Sequence, residues 1–288
     1  MIVMMVPQGA ALEVDRVAEV AHAAGADVIE TRAVPVPDTL FDRRTVHNLL
    51  GSSADTEGLS LRLRDLSDQY GVDIALQPRA ARSQSYRLAV FDMDSTLIDC
   101  EVIDQLAAQA GVGEAVAEIT AQAMRGDLDF DESYRTRLAL LEGLDARAVE
   151  ELADRLPVKE GLREMTTTLK AQGLKLAIFS GGFMPIAERL QVDYGFDEVV
   201  ANTLDIASGK VTGRVVPPIV NREHKAAALR ALATRLGIGV DACIAVGDGA
   251  NDLDMMAMAG LGVAFHAKPA VRAASSILMR VTVRGLRC

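Results

Sequence analysis

The stretch LAVFDMDST, residues 88–96, decides the fold expected for this chain. Four consecutive apolar residues are followed at once by two carboxylates, Asp92 and Asp94, which one residue separates. An uninterrupted apolar run of this length is typical of a strand that is buried on both faces of a parallel sheet. The carboxylates then lie at the carboxyl end of the strand, where open α/β sheets bind their ligands.

Three further apolar runs are each followed directly by small or polar residues. They are LAIF (176–179) before Ser180, CIAV (243–246) before Gly247 and Asp248, and GVAF (262–265) before His266. Because helical patterns follow the runs, we predict an α/β fold whose polar strand ends gather at one edge of a parallel sheet.

The chain is predicted to contain two domains. Residues 1–80 read as a small α+β module, residues 81–86 as a polar linker, and residues 87–288 as the α/β core, with a helical insertion at 101–158. Within the module we expect strands at 2–6, 26–36 and 72–77, helices at 12–24 and 59–70, and a polar stretch between residues 36 and 59. Residues 202–216 alternate about a Ser-Gly turn and predict a hairpin.

Composition excludes several classes of function. The formal charge of -10 and an aromatic content of 4% argue against a nucleic-acid partner, which needs a basic face or stacking rings. Every apolar run is too short to cross a bilayer, so we expect no membrane partner. Three cysteines without a CxxC spacing fit a reducing, cytoplasmic location. The oligomeric state is left open, and a homodimer is one alternative.

Four short motifs carry the chemistry, and each one alone is weak. Asp92 and Asp94 can share the work of nucleophile and acid/base, but such a pair is also common in ordinary loops and helix caps. The SGG turn at 180–182 can cradle a phosphate or be a plain turn. Lys225 on its own would most often be a surface charge.

The fourth motif is GDGAND at 247–252. It imitates the glycine pattern of dinucleotide-binding proteins, but Asp252 occupies the position where the third glycine is needed for close packing. Two carboxylates, Asp248 and Asp252, favour a hard divalent cation held by oxygen ligands instead.

Taken together and in this order, the motifs resemble those of the haloacid dehalogenase (HAD) superfamily and, within it, of the phosphoserine phosphatases, from about Arg87 to Pro269. The resemblance extends to the segments 92–104, 123–133, 180–183, 201–202 and 247–253. It implies a Rossmann-like three-layer core with a helical cap, and Mg²⁺-dependent hydrolysis of O-phosphoserine through an aspartyl phosphate. The module at 1–80 is similar to the small ACT domains that precede such phosphatases.

The same resemblance implies a role for each motif residue. Asp92 is the expected nucleophile and Asp94 the acid/base. Mg²⁺ is expected on Asp92, the backbone carbonyl of Asp94 and Asp248, with Asp252 in support. The groups expected to hold or orient the phosphoryl group are Ser180, the Gly181 N–H, Lys225 and Asn251.

Substrate recognition is expected in the insertion. By resemblance, Glu101 meets the ammonium group of the substrate and Arg137 grips its carboxylate, although each could instead form a surface salt bridge. Met124 and Phe130 are expected to form an apolar wall or, alternatively, part of the core of the cap.

Two other functions stay open at this stage. The chain could act on another small phosphomonoester, such as phosphohomoserine or phosphothreonine, or transfer the phosphoryl group between alcohols. It could also be chiefly an amino-acid sensor through residues 1–80.

Overall fold

A computed structural model describes residues 2–6, 13–34, 45–70, 72–77, 84–125, 127–267, 271 and 277–279. The chain divides into two compact units, one of residues 1–85 with 261–288, the other of residues 86–260. The domain assignment made from the sequence, with its linker at 81–86, stays a prediction. No helix in the described part of the chain is long and apolar enough to span a membrane.

The first unit contains a four-stranded antiparallel sheet in the order β2-β3-β1-β4. Its elements are β1 (Ile2–Val6), α1 (Val14–Ala23), β2 (Ala26–Val34), β3 (Thr45–Ser53), α2 (Thr56–Tyr70) and β4 (Asp73–Leu76). Leu49, Leu59 and Leu63 are almost fully buried in one core between sheet and helices. Two strands near the end of the chain, Leu261–Phe265 and Ile277–Met279, pair in parallel within this unit.

The sequence prediction was wrong for part of this unit. Residues 45–53, read as part of a polar stretch, form β3, which pairs with both β1 and β2. The pattern was misleading because His47, Asn48 and Ser52 interrupt the apolar residues. Helix α2 also begins at Thr56, before the expected Leu59. The predicted helix start at Leu12 and strand end at Val36 lie outside the described residues.

The second unit is built on parallel strands in the order β10-β5-β6-β7. Its strands are β5 (Leu88–Phe91), β6 (Lys175–Phe183), β7 (Glu198–Asn202), β8 (Leu204–Ala207), β9 (Lys210–Val215) and β10 (Cys243–Gly247). All four residues of β5 are buried, as expected of a central parallel strand. The predicted hairpin is formed by β8 and β9.

Eight helices of the second unit fall into two groups. The insertion after β5 holds α3 (Val102–Gln109), α4 (Gly113–Arg125), α5 (Phe130–Ala139) and α6 (Arg147–Asp154). The sheet is flanked by α7 (Leu162–Ala171), α8 (Met184–Tyr194), α9 (Arg222–Arg235) and α10 (Leu253–Met258). The α/β class with a parallel sheet is confirmed, and the helices of the first group lie within the insertion predicted at 101–158, whose role as a cap stays a prediction.

Candidate active site

The predicted site residues come together at the carboxyl ends of three adjacent strands. Asp92 directly follows β5, Ser180 lies near the end of β6, and Asp248 directly follows β10. The backbone N–H of Asp92 donates to the carbonyl of Val246 at 2.9 Å, so the ladder between β5 and β10 extends to the first carboxylate. The rigid sheet therefore fixes the position of Asp92.

Lys225 lies at the centre of the cluster. Its side chain is fully buried, and Nζ lies 2.7 Å from Asp92 Oδ1 and 2.7 Å from Asp252 Oδ1. Lys225 lies in the first turn of helix α9. Asn221 caps this helix, and its side chain accepts a hydrogen bond from the N–H of His224 at 3.0 Å. The surface-charge alternative for Lys225 is therefore wrong.

Burial and neighbouring charges shift the pKa values in this cluster. Burial by itself would lower the pKa of Lys225, but the carboxylates of Asp252 and Asp92 outweigh it and raise the pKa above the ordinary value. Burial, followed by repulsion from Asp92, raises the pKa of Asp252 to about 6, although Lys225 and the N–H of Gly249 act in the opposite direction. The lysine is therefore a permanent cation between two acids.

Three carboxylates of the cluster are arranged as a cation site. One oxygen each from Asp92, Asp248 and Asp252 lies within 4.8 Å of the others, and all three residues are buried. The ammonium group of Lys225 pairs with two of these acids, Asp92 and Asp252. A donor set made of carboxylate oxygens fits a hard divalent cation such as Mg²⁺. Thr96 Oγ1 donates a long hydrogen bond of 3.5 Å to Asp248 Oδ1.

The position of Asp252 requires glycine at position 247. Its Oδ2 accepts the N–H of Gly249 at 3.0 Å. A Cβ on Gly247 would lie 2.3 Å from Asp252 Cγ, so no larger residue fits there. The glycine spacing thus serves to place a carboxylate against the strand end.

Asp94 occupies an environment that favours its protonated form. Its Oδ2 accepts the N–H of Val102 at 3.3 Å, whereas its buried Oδ1 has no hydrogen-bond partner among the described residues. Burial, and then the charges of Glu101 and Asp92, raise the pKa of Asp94 well above the ordinary value. A carboxyl group of this kind can donate a proton at neutral pH.

The SGG turn lies directly against Asp94. Ser180 is fully buried, and its Oγ accepts the N–H of Gly182 at 2.9 Å. A Cβ on Gly182 would come within 2.7 Å of Met93 Cε and 3.2 Å of Asp94 Oδ2. The missing side chain at position 182 therefore lets the turn approach the carboxylates closely.

Two cap residues of opposite charge face this region. Glu101 Oε1 accepts a hydrogen bond from Ser95 Oγ at 3.0 Å. Arg137, on α5, donates from Nε to the carbonyl of Ser133 at 3.3 Å. Burial lowers the pKa of Arg137, while Asp104, Glu101 and Asp94 oppose this shift; an arginine nevertheless keeps its proton. The charge of Glu101 acts on Asp94, and the charge of Asp94 acts on Arg137.

The predicted apolar wall is described only in part. A Cβ added to Gly181 would lie 3.1 Å from Phe130 Cζ and 3.9 Å from Asn251 Nδ2, so Phe130 and Asn251 both adjoin the SGG turn. Met124 belongs to α4, but its side chain lies outside the part of the chain that the structure describes.

The sequence analysis assigned no role to two polar residues near the site, the partly buried Asp104 and the buried Asn202. Asp104 lies in the first turn of α3, three positions after Glu101, which immediately precedes the helix, and its charge interacts with that of Arg137. Asn202 binds the carbonyl of Gly181 through Nδ2 at 2.8 Å. The helical spacing could have pointed to Asp104, whereas no local signal pointed to the contact of Asn202.

Comparisons with known proteins agree with this geometry. Residues 86–260 match the family model of the haloacid dehalogenase-like hydrolases. A phosphoserine phosphatase of Streptomyces coelicolor is 46% identical over 230 residues, which are 80% of this chain and 56% of that protein. The chain spans about half the length of this curated relative.

Two solved structures are similar to the chain. A HAD family hydrolase from Salmonella enterica serovar Typhi has a TM-score of 0.84 at 31% identity, covering 96% of this chain and 93% of that one. A phospho-aspartyl intermediate analogue of a phosphoserine phosphatase has a TM-score of 0.64 at 39% identity, covering 68% of this chain and 94% of that one.

Proposed function

This chain belongs to the haloacid dehalogenase-like hydrolases, and from that membership we propose that it hydrolyses O-phospho-L-serine to L-serine and phosphate. The observation that carries the proposal is the meeting of two sets of charges. The buried cluster of Asp92, Lys225 and Asp252 suits phosphoryl transfer, and Glu101 and Arg137 beside it suit a zwitterion. The relatives named as phosphoserine phosphatases support the same substrate.

Asp92 is the proposed nucleophile. Its carboxylate oxygen attacks phosphorus, a new O–P bond forms, and the bond between phosphorus and the serine oxygen breaks. Lys225 orients the carboxylate through Oδ1 and stabilises negative charge on the phosphoryl oxygens. Mg²⁺ bound by Asp92, Asp248 and Asp252, with the backbone carbonyl of Asp94, would reduce the repulsion between the carboxylate and the phosphate dianion.

Asp94 is the proposed acid and base. Its raised pKa keeps a proton on the carboxyl group, which passes to the departing serine oxygen. The resulting carboxylate then takes a proton from the water that attacks phosphorus. That second step breaks the bond from phosphorus to Asp92, and releases phosphate with both carboxyl groups restored.

Ser180, the N–H of Gly181 and Asn251 are the proposed contacts of the phosphoryl oxygens. The turn is rigid because the N–H of Gly182 is bound to Ser180 Oγ, so donors aimed into the site are held in place before the reaction. Glu101 binds the ammonium group and Arg137 the carboxylate of the substrate, with Phe130 and Met124 along its apolar part.

A substrate panel tests the proposal. Phosphate release is measured for O-phospho-L-serine, O-phospho-L-threonine, phosphohomoserine and p-nitrophenyl phosphate, with Mg²⁺ and with EDTA. We expect the highest kcat/KM for O-phospho-L-serine and loss of activity in EDTA. A higher kcat/KM for any other member of the panel would contradict the proposed substrate, and full activity in EDTA would contradict the cation site.

A further inference from the structure

The Ala201–Asn202 segment is shared with the resembled family, and the proposed mechanism gives it no role. Asn202 is the last residue of β7 and is only 2% exposed. A buried amide side chain needs hydrogen-bond partners on both its oxygen and its nitrogen. The partners of Asn202 therefore indicate what the residue does.

The backbone next to Asn202 is irregular. Along β6 and β7 the pairs run from Ala177↔Glu198 to Phe179↔Val200, and the next pair is Phe183↔Asn202. Three residues of β6, 180–182, are thus placed opposite one residue of β7, Ala201. Such a bulge leaves backbone groups without ladder partners and is often found beside active sites.

The side chain of Asn202 supplies one of the missing partners. Its Nδ2 donates to the carbonyl of Gly181 at 2.8 Å. The other half of the same peptide group, the N–H of Gly182, donates to Ser180 Oγ at 2.9 Å. Because the C=O and N–H of a trans peptide point in opposite directions, Asn202 and Ser180 hold the Gly181–Gly182 peptide from its two sides.

This arrangement determines what the Ser180 hydroxyl can do. A hydroxyl group has one hydrogen to donate and two lone pairs to accept with. The N–H of Gly182 occupies one lone pair, which leaves the hydroxyl hydrogen available for an acceptor. In the proposed reaction that acceptor is a phosphoryl oxygen.

The oxygen of Asn202 makes a second connection. Oδ1 accepts the N–H of Val220 at 2.8 Å. Val220 directly precedes Asn221, the cap of α9, and α9 carries Lys225. One buried amide therefore ties the SGG turn to the start of the helix that carries the lysine.

We propose that Asn202 is a positioning residue that fixes the Gly181–Gly182 peptide so that the Ser180 hydroxyl donates to the transferring phosphoryl group. The inference rests on the proposed phosphatase function and adds a residue that does not touch the substrate. Its effect passes through Ser180, so it acts on the phosphoryl group and leaves the recognition of the ammonium and carboxylate groups unchanged.

The test compares Asn202→Asp, Asn202→Ala, Ser180→Ala and the double variant of Asn202→Asp with Ser180→Ala, because Asn202→Asp keeps the acceptor for the Val220 N–H. An aspartate at 202 keeps the shape but cannot donate to the Gly181 carbonyl. Because loss of one preorganised donor lowers kcat by about a hundredfold or more, we expect Asn202→Asp to lose about tenfold to a hundredfold in kcat. KM for O-phospho-L-serine should stay within about twofold, since Glu101 and Arg137 are intact.

The double variant separates positioning from a general structural role. If Asn202 acts through Ser180, its replacement adds less than about threefold to the loss caused by Ser180→Ala, because residues that act as a unit are not additive. Losses that multiply in the double variant would overturn the proposal. So would Asn202→Asp with wild-type kcat.

A matched control is Thr166→Val. Thr166 is also 2% exposed and donates from Oγ1 to the carbonyl of Arg163 at 3.1 Å, away from the site. Thr166→Val should lower the melting temperature and leave kcat unchanged.

If Asn202→Ala does not fold, amide hydrogen exchange of the wild-type protein provides the test. The N–H groups of Gly182 and Val220 should exchange slowly, and fast exchange at either would overturn the proposal.

Each kinetic measurement is made on both O-phospho-L-serine and p-nitrophenyl phosphate. Wild-type protein that hydrolyses only p-nitrophenyl phosphate would contradict the proposed substrate while the test of Asn202 proceeds on that ester. If the wild-type protein hydrolyses neither ester, both the proposed function and the proposed role of Asn202 are contradicted.

Discussion

Lys225 Nζ lies 2.7 Å from Asp92 Oδ1, although 133 positions separate the two residues in the sequence. The lysine is fully buried, so this ion pair is shielded from water. A second contact of 2.7 Å to Asp252 fixes the ammonium between two carboxylates. The orientation of the Asp92 carboxylate is therefore set before any substrate arrives, as the role proposed for Asp92 requires.

Replacing Lys225 by methionine should abolish activity and destabilise the fold. Removing one partner of a buried ion pair leaves uncompensated charge and costs about 3–5 kcal/mol. We therefore expect the free energy of unfolding, measured in EDTA so that no cation is bound, to fall by this amount. Urea unfolding measures the free energy and phosphate release the activity.

Lys175→Met is the matched control for this variant. Lys175 pairs with Asp197 at 2.8 Å, but its side chain is 57% exposed. An exposed pair contributes less than about 1 kcal/mol, so this substitution should have a small effect. Equal losses for Lys225→Met and Lys175→Met would contradict the central place given to Lys225.

The strands and motifs of the core could be predicted because their signals are local. The run at 88–91 is buried on all sides, and the acids that follow it lie where parallel strands place them. Strand β3 could not be predicted, because its polar residues are accommodated only through pairing with β1 and β2. The contact of Asn202 with Gly181 also depends on a bulge, which the sequence does not reveal.

Arg137→Ala should impair recognition of the substrate carboxylate. A hydrogen-bonded charge pair contributes about 1.5–3 kcal/mol, so KM for O-phospho-L-serine should rise about tenfold to a hundredfold. For p-nitrophenyl phosphate, which has no carboxylate, kinetic constants should change little. Arg135→Ala is the control on the same helix, since Arg135 is 56% exposed and pairs with Asp131. If the kinetic constants for both esters are impaired to a similar extent, Arg137 does not recognise the substrate carboxylate.

Asp94→Asn should show a dependence on the leaving group. Serine leaves as a poor alkoxide that needs a proton, whereas p-nitrophenolate leaves without one. General acid catalysis contributes about a hundredfold or more, so kcat/KM for O-phospho-L-serine should fall by that amount. The loss in kcat/KM for p-nitrophenyl phosphate should be much smaller. Equal losses in kcat/KM on both substrates would contradict the role of Asp94 as an acid.

Asp197 should make the stability of the core depend on pH. Burial alone would raise its pKa, but hydrogen bonds from Lys175 and the N–H of Leu176 outweigh burial and lower the pKa. A depressed pKa stabilises the folded state at pH values above the pKa of the unfolded chain, which is about 4. This contribution disappears as the pH falls through the pKa of the folded state.

Asp197→Asn should therefore cost about 1 kcal/mol at pH 7. The difference from wild type should shrink as the pH falls below the ordinary aspartate pKa, as measured by urea unfolding at a series of pH values. A difference that is the same at neutral pH and in acid would show that the ionised form of Asp197 contributes nothing.

Trapping of the phosphorylated enzyme tests the nucleophile most directly. Wild-type protein is mixed with O-phospho-L-serine and Mg²⁺, quenched, and treated with borohydride, which reduces an acyl phosphate to an alcohol. Peptide mass spectrometry should then find homoserine at position 92, and none there without substrate or in Asp92→Asn, which should also release no phosphate. Phosphate release by Asp92→Asn at a rate near that of wild type, or a reduced residue elsewhere in the chain, would contradict the account.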